Sequence, residues 1–156
     1  MPAPVPIPVP IPVSEPPPAR LSVRTSPLAA ETLLGLARRG LLEATAAGHP
    51  VDRYAAAHLS ALRAAAGVLA CRARPAPGRR TRPTSAWVLL SVVAPELGEW
   101  ADFFAAGARK RAAAEAGAPT SVTPREADDL LRAAEAFLAV VETALSGVHQ
   151  PLLMTS

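Results

Sequence analysis

One pairing in the chain has the residue types for acid–base chemistry on a phosphodiester. Arg53 and His58 stand in the run Arg-Tyr-Ala-Ala-Ala-His, an arginine separated by four residues from a histidine. Histidine titrates near neutral pH and can serve as general acid or base. Arginine can neutralise and orient a phosphate oxyanion. Together they could activate a ribose 2′-hydroxyl without a metal. The other two histidines, His49 and His149, form no ligand spacing with Cys71 or with acidic pairs. No HExxH, no CxxC and no glycine-rich phosphate loop after a strand occurs. The expectation is therefore no metal and no cofactor.

The elements that must carry this pair are helical throughout. Residues 27–47 read as a first helix capped by Ser26, with Pro27 at its first position and Gly48 after its end. Residues 50–72 read as a second, with Asp52 in the first turn. Tyr54, His58, Leu62, Ala65 and Leu69 recur on one stripe, which predicts a core-facing seam. Residues 84–116 form a third helical stretch that Pro95 must break. Residues 124–146 form the last. It opens with a capping box of Thr123, Pro124 and Glu126, and its seam is Leu130, Ala134, Phe137, Val141 and Leu145. No segment alternates as a strand does. The fold class expected is all-α, an antiparallel bundle of four to five helices over residues 27–147, with a short C-terminal tail at 148–156.

Arg53 and His58 are five positions apart on the second helix, so their side chains leave it roughly 140° apart. A joint site needs the long arginine to bend, or a second copy to supply one of the two. With arginine this abundant, a pair at such spacing arises about once from composition alone. The structural alternative makes His58 a seam residue satisfied by a neighbour and Arg53 a solvated first-turn residue. Tyr54 and Arg63 are candidate binding residues beside the pair, although Tyr54 also reads as a core residue with a polar tip.

Residues 2–18, PAPVPIPVPIPVSEPPP, cannot form a helix or a central strand, because proline recurs at nearly every second position. The expectation for residues 1–26 is a disordered, polyproline II-like tail, serving as a leader, a spacer or a ligand for a proline-recognising domain. A second proline-rich stretch, ARPAPGRRTRP at 73–83, joins the second and third helices. Its Arg79, Arg80 and Arg82 are candidate phosphate ligands, or simply a solvated connector.

Composition bounds the rest. The chain has 156 residues, enough for one domain, and half are hydrophobic, yet only 4% are aromatic. Alanine dominates, so bulk must come from a few Leu, Val, Phe and Trp positions. The formal charge is +3, almost all of it from arginine, since Lys110 is the only lysine. That bias is typical of a GC-rich coding sequence and weakens charge as a sign of nucleic-acid binding. A single cysteine, Cys71, allows no internal disulfide. No stretch reaches transmembrane length, and the prolines leave no room for a signal-peptide core. A cytoplasmic protein, not bound to a membrane, is expected.

Three segments carry a family resemblance. They are VDRYAAAHLSALRAAAGVLA, SAWVLLSVVAPELGEWADFFAAGARKRAAAEAG and PREADDLLRAAEAFLAVVETAL. Together they resemble the HEPN superfamily (higher eukaryote and prokaryote nucleotide-binding domain), and within it an actinobacterial branch. The resemblance covers about residues 27–146. It implies a four- or five-helix bundle that dimerises. Many such domains are metal-independent ribonucleases or toxin components, with an arginine, four to six residues, then a histidine as active motif. By that resemblance Arg53 and His58 would be catalytic. Other members lack the motif and bind RNA, nucleotides or proteins as adaptors. The catalytic members carry the motif toward the C-terminal part of the bundle, at a dimer cleft, whereas Arg53 and His58 lie on the second helix. Three roles follow as expectations: a non-catalytic RNA-, nucleotide- or protein-binding module, a metal-independent ribonuclease, or a partner docked through the exposed part of the Trp87–Phe104 region.

Overall fold

A computed structural model describes residues 27–72, 85–116 and 122–147. The proline-rich segment, Ser26, the 73–83 arginines and the C-terminal tail lie outside the described residues. Five α-helices form: α1 (Pro27–Ala46), α2 (Pro50–Arg72), α3 (Ala86–Val93), α4 (Gly98–Glu115) and α5 (Pro124–Ser146). No strand occurs among the described residues, so the all-α expectation holds.

Helix boundaries follow from their chemistry. At α5 the capping box is complete: Glu126 N–H donates to Thr123 Oγ1 at 3.1 Å, and Thr123 N–H donates to Glu126 Oε2 at 2.8 Å. At the break near Pro95, α3 stops one residue early. Ala94 takes an extended conformation (φ −133°, ψ 74°), because the proline ring disfavours helical backbone in the residue before it. A 3-10 turn over Pro95–Leu97 then leads into α4. Ser85 caps α3 by accepting from Trp87 N–H at 3.3 Å.

α2 is the central helix and packs against all four others. By length and composition alone it could cross a membrane, contrary to the reading that no stretch reaches that length. In the bundle its middle is buried in protein instead. Its buried face also differs from the expected seam. Ala57, Ala61, Ala64 and Val68 are fully buried beside Tyr54, His58 and Ala65, while Leu62 and Leu69 are only half-buried. A helix surrounded by neighbours has no polar face from which to phase its pattern, and small residues mark where other backbones come nearest.

The closest approach is between α1 and α2. A Cβ at Gly40 would stand well inside van der Waals distance of Ser60 Oγ, which is buried and donates to Ala56 O at 2.9 Å. Two turns further along α2, Gly67 lies against Leu34 and the Ala30 carbonyl. Gly40→Ala sets two effects against each other. Alanine favours helix by about 1 kcal/mol, and overpacking costs about 1–3 kcal/mol. Because Ser60 is short and enclosed, overpacking should win. A net loss of about 1–2 kcal/mol is expected in urea unfolding, whereas Gly35→Ala, with open space at its Cβ, should stabilise.

Bulk is concentrated in an aromatic cluster between α2, α3, α4 and α5. Phe104 stacks on Trp87 (5.1 Å between centroids) and on Trp100 (6.4 Å), and it meets Phe137 at 5.3 Å. The α5 seam is as expected: Leu130, Ala134, Phe137, Val141 and Leu145 are all buried.

Candidate functional site

The two side chains of the candidate pair leave α2 toward different neighbours. Arg53 reaches across the end of α1. Its Nε donates to Ala44 O (3.3 Å), one terminal nitrogen donates to Ala47 O (2.7 Å), and the other pairs with Asp128 of α5 (2.5 Å). The last carbonyls of a helix lack partners within it. Arg53 donates to two carbonyls there, Ala44 in the last turn of α1 and Ala47 just beyond its end, and carries a cation to the negative end of its dipole. The arginine thus fastens α1, α2 and α5 at one end of the bundle. The reading of Arg53 as a solvated first-turn residue is corrected: its guanidinium is engaged on all three nitrogens.

His58 goes the other way, into the core. It is 1% exposed, and its Nε2 lies 3.0 Å from Phe104 O on α4. The Trp87 and Phe104 rings meet the imidazole edge-on at 5.9 and 6.1 Å. The seam position expected for it is what the geometry gives, and the neighbour that meets its Nε2 is the Phe104 carbonyl. One turn earlier Tyr54 makes the parallel contact. Its hydroxyl donates to Gly107 O at 3.4 Å, and the ring is buried. Burial, and then the Glu126 carboxylate, raise the phenol pKa above its ordinary value, so the hydroxyl stays a donor. Gly107 makes this pairing feasible, because a Cβ there would stand 3.1 Å from the Tyr54 hydroxyl and 3.6 Å from the imidazole. Two α2 side chains thus hold α4 by its carbonyls.

The other candidates are dispersed. Arg63 is half-buried on α2 and lies beside Gly40 of α1, away from His58's contacts with α3 and α4. Arg79, Arg80 and Arg82 lie outside the described residues. The basic run ending α4 is tied down in part, since Lys110 pairs with Glu126. That contact, followed by the Thr123 backbone amide, lowers the Glu126 pKa. Arg72 likewise pairs with Glu96 and lowers its pKa. An open depression along α5, lined by Ala139, Glu142, Thr143, Ser146 and Gly147, offers one carboxylate, and Arg38 of α1 already holds it at 2.6 Å. Among the described residues no three His, Cys, Asp or Glu side chains gather to hold a metal.

Sequence reasoning did not find Asp128 and Gly107, the residues that decide what Arg53 and Tyr54 do. Asp128 lies 75 positions from Arg53, and no local pattern connects them. Gly107 had a signal: apart from Gly98 at its first position it is the one glycine of α4, and an interior glycine marks close approach.

The sequence model of the SAV_6107-like HEPN family matches residues 44–142, from the end of α1 to the last turns of α5. No curated protein and no solved structure matches the chain.

Proposed function

The chain belongs to the SAV_6107-like HEPN family, and from that premise we propose that it is a non-catalytic binding module, active as a homodimer in the cytoplasm. The observation that carries this reading is the engagement of both members of the Arg-x4-His pair by the protein itself. A general base must reach the proton it removes, directly or through one water. His58 is enclosed by α2, α3 and α4, and its Nε2 is on a backbone carbonyl. A phosphate ligand needs free donors well placed in solvent, and each of Arg53's three nitrogens already donates within the bundle, to Ala44, Ala47 and Asp128. Cleavage chemistry would require both to be withdrawn from the contacts that hold the bundle.

RNA is the ligand to test first. The chain is net positive, and Arg79, Arg80 and Arg82 stand close together in sequence. In EDTA the purified chain should bind labelled single-stranded RNA without shortening it. Affinity should fall with salt, and replacing Arg79, Arg80 and Arg82 by alanine should flatten the log–log slope by about 2, at about 0.7 per lost phosphate contact. RNA cleavage that Arg53→Lys abolishes while the fold is kept would overturn the non-catalytic reading in favour of a metal-independent ribonuclease. No RNA binding at low salt would leave a protein partner as the module's ligand.

A further inference from the structure

α3 differs from the other helices in carrying no charged side chain, and its one polar residue, Ser91, donates to the Trp87 carbonyl at 3.2 Å. Trp87 and Leu90 face inward and are buried, while Val88, Leu89 and Val92, on the opposite side, are 55%, 41% and 73% exposed. No charged residue occurs between 83 and 95. A helix that is apolar all round is ordinarily covered all round. Among the described residues nothing covers this side.

The size of the patch restricts what can. A specific protein interface takes roughly 800 Å² from each partner. Three aliphatic side chains on an eight-residue helix fall well short of that, so a second copy or a folded partner is a poor match for this face alone. A single extended segment fits it better, and the chain contains one. Residues 5–13, VPIPVPIPV, are uncharged and alternate proline with valine or isoleucine. Four of these nine residues have no N–H, so the segment can lie on a helix face, which offers no backbone partners, while stranding few donors. Proline also restricts the free chain, which lowers the entropy lost on docking.

Reach and direction agree. α1 and α2 are antiparallel, with Gly40 beside Ser60 and Ala30 beside Gly67. Pro27 therefore lies at the C-terminal end of α2. At that end Arg72 pairs with Glu96, three residues beyond the end of α3. Thirteen residues, 14–26, separate the apolar segment from Pro27 and span up to about 45 Å when extended. That exceeds the length of α2, about 35 Å at its 23 residues. A tether this short holds the segment at an effective concentration on the order of millimolar.

We propose that residues 5–13 lie in cis across Val88, Leu89 and Val92 of α3. The tail is then part of the domain's surface, and a protein partner that takes α3 must displace it.

The test uses the full chain with Cys71→Ser and Ser14→Cys, a nitroxide attached at position 14, and isotope-labelled amides. Amides of residues 88–93 should relax several-fold faster with the nitroxide oxidised than reduced, while Glu43, at the far end of α1, should not. The effect on α3 should be lost in Ile7→Ser/Ile11→Ser, whose changes lie outside the bundle, and in Val92→Asp, whose change is at an exposed position. Three results would overturn the proposal: no enhancement at α3, equal enhancement in the two disrupted variants, or enhancement only when label and isotope are on different molecules. The last would assign the face to a second copy.

Discussion

Phe104→Ala should cost about 3–5 kcal/mol, the largest loss expected of any single truncation in this domain. The ring is fully buried and touches Trp87, Trp100, Phe103, Phe137 and His58. Much of the remaining core is alanine, which has no side-chain length with which to fill the void. The cavity should therefore stay open, and the cost should sit toward the upper end of the range. The His58 contact is to the Phe104 backbone carbonyl, so the substitution does not remove it. The loss is then one of packing alone. Domains of this size are stable by only about 5–15 kcal/mol, so Phe104→Ala should shift the urea midpoint strongly with little change in slope. Phe103→Ala is the internal control. That ring is 50% exposed and should cost no more than about 1 kcal/mol. Equal midpoints for the two variants would show that the aromatic cluster is not the core of the bundle.

The contrast between these adjacent phenylalanines also shows what could be read from the sequence. The apolar run that leads into and along α4 includes Leu97, Trp100, Phe103, Phe104 and Ala108, and nothing in it distinguishes the buried ring from the exposed one. The difference comes from Pro95. By turning the chain back after α3, it sets α4 against Trp87 and fixes which side of α4 faces inward. α5 was legible in full, because a capping box sets its start and a regular seam sets its buried face. α2 was legible in span but not in orientation, since a helix with neighbours on every side has no solvated face to phase it. The small residues carried the missing information: Gly40, Ser60, Gly67 and Gly107 are where backbones meet, and α2's alanines allow it.

The candidate pair was legible as residues and not as roles. His58 on the Tyr54–Leu62 seam pointed to the core, yet its partner is a backbone carbonyl, which has no signature in sequence. Arg53 read as a surface residue because its own turn holds only Asp52. Its contacts come from the C-terminus of α1 and from α5, and both depend on how the helices assemble. An arginine–histidine spacing on one helix therefore does not define a site until the surrounding helices show which groups each side chain meets.

Arg53→Ala should cost about 2–3 kcal/mol, and the reason bears on function. The substitution removes two hydrogen bonds to carbonyls at the end of α1, those of Ala44 and Ala47, and the ion pair with Asp128. Charge-assisted hydrogen bonds contribute about 1.5–3 kcal/mol each when buried. Side-chain exposures of 26% for Arg53 and 44% for Asp128 reduce the ion-pair share toward the surface value, at most about 1 kcal/mol. The carbonyl contacts should therefore dominate. Asp128→Ala separates the two shares: it removes only the ion pair and should cost less than about 1 kcal/mol. In a double-mutant cycle the coupling between positions 53 and 128 should be similarly small. Arg53→Lys should fall between, because one ammonium cannot serve two carbonyls and a carboxylate at once. If Arg53 instead bound RNA phosphate, Arg53→Ala would weaken RNA binding even where the variant is fully folded. As a fastening for α1, it should leave the affinity of the folded fraction unchanged, measured well below the variant's melting temperature. Stability and affinity measured on the same sample thus separate a structural arginine from a ligand-binding one.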